Sequence, residues 1–106
     1  MISQQTIDHA VQLLVSEAHP LRIILFGSHA RGDADENSDL DFLVIEPKVT
    51  NKSQEMIRLR RALRPLRISA DILVISEEEV NEWGHLPGTT LYWALREGKV
   101  LHEAAN

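Results

Sequence analysis

The sequence predicts an α/β (α+β) domain, a small mixed β-sheet with helices packed on one face. Three observations predict it. Short apolar runs stop abruptly at turn residues, as at Gly27 and Ser28 and again at Pro47. Between those runs, apolar residues recur at helical spacing among charges. The two patterns follow one another as α-β-(loop)-β-α-β-α-α over 106 residues, without repeats or a low-complexity linker. That length is expected to form one domain, residues 1–106.

Ile7, Ala10, Val11, Leu14 and Val15 share one face of a helix over roughly 4–18, with Ser3 or Thr6 as its cap and Pro20 beyond its end. Residues 22–26, RIILF, read as a buried strand that stops at Gly27 and Ser28. The polar stretch HARGDADENS is a loop, or a short helix and a loop. Leu40 and the run from Phe42 to Ile45 form a second strand, ended by Pro47. Met56, Ile57, Leu59, Ala62 and Leu63 mark a second amphipathic helix over 53–64, stopped near Pro65. Residues 68–75 are a third strand. Ser76 followed by Glu79 has the spacing of a capping box opening another helix. Gly84, Pro87 and Gly88 break the chain before a last helix over 89–97, with Gly98 as its stop. Val100 and Leu101 close as a short strand or an extended tail.

Composition narrows the function. Lys plus Arg total 11 and Asp plus Glu 16, a formal charge of −5, which disfavours a general nucleic-acid coat protein. The absence of cysteine removes disulfides, thiolate metal sites and cysteine nucleophiles. No apolar run approaches the ~18 residues of a membrane span, and the N-terminus lacks the features of a signal peptide, so the expected compartment is the cytoplasm.

The chemistry concentrates in carboxylates. Asp39 and Asp41 bracket Leu40 at the opening of an apolar strand, and strand residues two apart point to one face. Two close carboxylates repel, and a cation between them relieves the repulsion. Mg²⁺ suits such a site, because it takes few protein oxygens and shares its shell with phosphates. Asp71 stands in the third strand among apolar residues, and if the strands are neighbours it faces the same cluster. Three carboxylates and two cations form the layout of in-line phosphoryl transfer. Gly27 and Ser28 supply a tight turn where backbone N–H groups and a hydroxyl can meet a phosphate, and Arg31 lies one helical turn further.

Taken together, LFGSHARGDADENSDLDFLVI resembles the signature of the nucleotidyltransferase superfamily that includes DNA polymerase beta: a Gly-Ser pair, a spacer, then Asp-x-Asp. Ten residues separate Ser28 from Asp39, as in the minimal nucleotidyltransferase (MNT) group, and the closing TLYWALREGKVLHE is also similar to that group. His29 stands where the resemblance leads one to expect Arg or an aromatic residue. The resemblance implies that Asp39 and Asp41 bind two Mg²⁺ ions. Asp71 would complete the metal set and help activate an attacking hydroxyl, and Gly27, Ser28 and Arg31 would hold the triphosphate of ATP. Larger relatives carry a further domain for the acceptor, and its absence here points to a protein partner. MNT proteins pair with helical HEPN proteins as antitoxin and toxin. The implied reaction therefore transfers AMP to a tyrosine of a HEPN-type RNase toxin. The competing expectation is an idle binding module that neutralises its partner by complex formation.

Three other features carry weaker signals. Arg58, Arg60, Arg61, Arg64 and Arg67 crowd a stretch, 56–70, that has no acid. This is expected to be a solvated face first, a partner contact second, and a nucleic-acid surface last, since no aromatics interleave with the arginines. The five histidines show no metal spacing, and only His29, beside Ser28, is placed near the candidate site. Trp83, Tyr92 and Trp93 are expected in the core, with partner anchoring as the alternative.

Overall fold

A computed structural model of the chain describes residues 2–105. Helix α1 (Gln4–Ala18) opens on Ser3, whose hydroxyl accepts from the Thr6 N–H. Strand β1 (Arg22–Phe26) follows, then a single helical turn α2 (Ser28–Arg31), a coil, and strand β2 (Leu40–Glu46). Helix α3 (Lys52–Ala62), capped by the Asn51 side chain, runs into a 3-10 turn over Arg64–Leu66. Pro65 therefore tightens the end of the helix rather than cutting it off. Strand β3 (Ala70–Ser76), helices α4 (Glu77–Trp83) and α5 (Thr90–Glu97), and strand β4 (Lys99–Glu103) complete the chain. The capping box at Ser76 and Glu79 forms in full. The C-terminal apolar pair belongs to a true strand.

The mixed sheet has the order β3-β2-β1-β4. β1 pairs antiparallel with β2 and β4, while β2 and β3 run parallel, joined by the α3 crossover. A parallel pair requires a crossover of this kind, because a short turn reverses direction. β2 is central, and all its residues but Asp41 are buried.

The helices cover both faces of the sheet, a correction to the expectation of one. Ile23, Leu25, Phe42, Val44 and Val74 pack with Ile7, Leu14 and Leu59 of α1 and α3 on one side. Ile24, Leu43, Ile45 and Ile75 meet Leu91 and Ala94 of α5 on the other. The physical reason lies in β2 itself. Its unbroken run Phe42–Ile45 has apolar side chains on both faces, and each face needs a cover. The tryptophans also differ from expectation: Trp83, at the end of α4, and Trp93 are about half exposed, and on α5 the buried positions are Leu91 and Ala94 instead.

β2 ends on a buried carboxyl. Glu46 is 7% exposed and its Oε2 has no hydrogen-bond partner. Burial, and then the neighbouring Glu55, push its pKa up to about 8. Glu55 keeps its own charge through two 2.8 Å bonds from Arg58, which also reaches Glu17 at the end of α1. The folded pKa lies above the unfolded value, so folding takes up a proton between those two values. Stability should therefore fall as pH rises from 5 to 8, by about 1.4 kcal/mol per pH unit at the steepest. Chemical denaturation of Glu46→Gln across that range should show a flatter profile and a more stable protein than the parent at pH 8.

Candidate active site

Three neighbouring strands bring the candidate residues to one end of the sheet. β1 closes at Phe26, whose register partner on β2 is Asp41. Asp41 pairs in turn with Asp71 on β3. Registered neighbours project from the same face, so the two carboxyls stand side by side. Asp39 lies just outside β2, where its Oδ1 accepts from the Ser69 hydroxyl. The Leu40 N–H donates to the Ser69 carbonyl at 3.0 Å, so the start of β2 is tied twice to the residue before β3. Asp41 is half-buried. Desolvation foremost, then the charges of Asp71 and Asp39, hold its carboxyl above the usual range, against the opposing pull of His29 and Arg31.

Gly27 has φ +74° and precedes α2. A Cβ built on it would run into Asp41 Oδ2, so only glycine lets the chain turn this close to the carboxylate. Ser28 then opens α2, and its carbonyl accepts from the Gly32 and Asp33 N–H groups, which closes the turn. His29 Nε2 lies 3.1 Å from the Ser38 carbonyl and donates to it, anchoring α2 to the approach of β2. Arg31 is exposed and lies 3.4 Å from Asp33. A groove of about 320 Å³ adjoins the turn, lined by Phe26, Gly27, Arg31 and, from α5, Thr90 and Trp93.

Asp71 is the outlying member. Its side chain is 62% exposed, and its Oδ1 lies 3.6 Å from Arg60 on α3. Among the described residues no three His, Asp or Glu side chains close into a metal-holding cluster. The sheet thus assembles Asp39, Asp41 and Asp71 at one strand end, with the Ser69 hydroxyl on Asp39 and Arg60 near Asp71. Ser69 and Arg60 escape sequence reasoning. A serine before a strand and an arginine among five carry no mark of what they touch.

The Gly27 contact yields a paired prediction. Gly27→Ala should lower stability by about 3 kcal/mol, from the strained backbone and the collision with Asp41. Gly32→Ala has φ +86° but nothing near its Cβ, so only the backbone term applies, about 1–2 kcal/mol. Thermal denaturation of the two variants side by side separates steric conflict from backbone strain.

A provisionally named protein adenylyltransferase of Methanocaldococcus jannaschii is 48% identical over 40 residues, 36% of this chain and 40% of that protein. The chain thus spans less than half of that relative's length. Among solved structures, spectinomycin adenyltransferase of Enterococcus faecialis, crystallised with ATP and spectinomycin, superposes with a TM-score of 0.76 at 19% identity, over 99% of this chain and 58% of that one. A complex of the tri-AMPylated HEPN toxin of Shewanella oneidensis with its MNT antitoxin gives a TM-score of 0.53 at 18% identity, over 96% and 74%. The family model described as a nucleotidyltransferase domain matches residues 8–70, which hold Gly27, Ser28, Asp39 and Asp41. This chain belongs to the nucleotidyltransferase domain family.

Proposed function

We propose that this chain transfers AMP from ATP to a protein hydroxyl, with a tyrosine of a HEPN-type RNase toxin as the acceptor, and serves as the antitoxin of that pair. The observation that carries the proposal is the register of Asp41 against Asp71, with Asp39 beside them and Gly27 pressed onto Asp41. The local identity to a protein adenylyltransferase homologue supports a protein acceptor. The shared fold with an antitoxin bound to an AMPylated toxin supports the partner.

Asp39, Asp41 and Asp71 offer the donors a hard divalent cation takes, and burial together with the charges of Asp71 and Asp39 makes ionisation of Asp41 costly without one. Mg²⁺ bound there would neutralise phosphate charge and align the reacting oxygens. The chain's own residues then divide the work. The Gly27–Ser28 turn and Arg31 hold the triphosphate beside Asp41. Asp71, the most exposed of the three carboxylates, accepts the proton of the incoming hydroxyl. The hydroxyl oxygen bonds to the α-phosphorus, the bond to the bridging oxygen breaks, and pyrophosphate leaves with that electron pair.

Intact mass of a co-purified partner, taken before and after addition of Mg²⁺ and ATP, tests the reading. The partner should gain one or more AMP units, and the Asp39→Ala/Asp41→Ala double variant should add none while keeping its fold by circular dichroism. A tightly bound partner with no mass change under any nucleotide would point instead to neutralisation by occlusion. Asp71→Asn should bind ATP normally and slow the single-turnover step, as followed by rapid quench. Ser28→Ala should weaken ATP by about 1 kcal/mol in titration calorimetry.

A further inference from the structure

Between α3 and the start of the edge strand β3, at Ala70, lies a groove of about 470 Å³. Its walls include Arg60, Arg61, Arg64 and Arg67, and Ile57 and Ile68 supply part of its apolar lining. Ile57 is 54% exposed, so apolar surface lies open beside these arginines. The nearby Arg58 is held by Glu17 and Glu55. Among the described residues, Arg61, Arg64 and Arg67 have no ion pair, and Arg60 has only the loose 3.6 Å contact to Asp71. A chain of net charge −5 has acids to spare, yet it leaves these four cations together and nearly unmatched.

We infer that this groove is the docking site for an acidic polypeptide segment that carries the acceptor hydroxyl. The inference rests on the transfer reaction proposed above and adds the acceptor's chemistry to it. The order of the strands gives the direction. Gly27 follows β1, Asp41 lies on β2 and Asp71 on β3, and β3 is the sheet edge. A nucleotide held at the Gly27 turn leaves the Asp71 side open to the second substrate. The arginine groove adjoins that side: Ala70, the neighbour of Asp71, lines it, and Arg60 on its wall lies 3.6 Å from Asp71. Four guanidinium groups call for anions, and the apolar lining calls for apolar side chains beside them. No aromatic ring lines the groove, so bases of a nucleic acid find no stacking surface, and an acidic protein segment fits better than RNA. The exposed Arg60–Asp71 pair is of the weak kind that exchanges readily. A carboxylate of the incoming segment can take Arg60 and leave Asp71 free for the hydroxyl.

Binding of a fluorescent random Glu–Tyr copolymer to the full chain, measured by anisotropy without nucleotide, tests the groove apart from the reaction. The parent should bind it, more weakly as salt rises, and should favour it over a Lys–Tyr copolymer and over poly(U). Arg61→Glu/Arg64→Glu should weaken copolymer binding at least tenfold and leave ATP affinity unchanged. Arg61→Lys/Arg64→Lys should retain most of the binding, which a merely misfolded double variant would not explain. Equal binding by parent and charge-reversed chain overturns the inference, as does a preference for poly(U). Copolymer binding that is lost on charge reversal, with no AMP transfer to any acceptor, would uphold the groove and sink the proposed reaction.

Discussion

The in-register parallel pairing of β2 and β3 is the constraint on which the rest depends. It places two carboxylates on adjacent strands at the same level, an arrangement that repels itself. Nothing local at Asp41 or Asp71 favours the contact. The pairing is fixed by what lies further along the same strands: Phe42 against Ile72, Val44 against Val74 and Ile45 against Ile75, all buried. Burial of that row, at roughly 2 kcal/mol for each large apolar side chain, outweighs the repulsion between one partly exposed pair of acids. The apolar length of the sheet thus holds its polar end in a geometry that end would not choose.

The same logic explains the turn beside it. β1 delivers Phe26 opposite Asp41, and the chain must then leave the sheet without striking the carboxylate. A residue without a side chain in an unusual backbone conformation is the solution at Gly27, and the single turn of α2 follows from it. His29 and Arg31 on that turn bring positive charge toward Asp41, while Asp39 and Asp71 bring negative. Burial and the negative charges prevail, and the Asp41 carboxyl is held above its usual range.

Much of this was legible in the sequence because β2 is an extreme case. A central strand with two acids at its mouth and four apolar residues behind them stands out from any surface strand. The candidates Gly27, Ser28, Asp39 and Asp41 stand out by that contrast, and Asp71 by the oddity of an acid in an apolar run. The placing of the helices was not legible. The count of helices does not say which face each covers, although the continuous run Phe42–Ile45 held the hint of two covered faces. The tryptophans misled because helical spacing marks a stripe without saying whether the stripe faces inward. The contacts of Ser69 and Arg60 arise only when β3 lies beside β2, a fact of tertiary structure that no local pattern encodes.

Because β-register changes only in whole residues, the distance between Asp41 and Asp71 cannot drift gradually. A slip of one residue would put Ala70 or Ile72 opposite Asp41 and turn Asp71 to the far face of the sheet. The site therefore has no half-assembled form that keeps the fold. Its integrity is as cooperative as the packing of the sheet, and it disappears when the sheet does, not before.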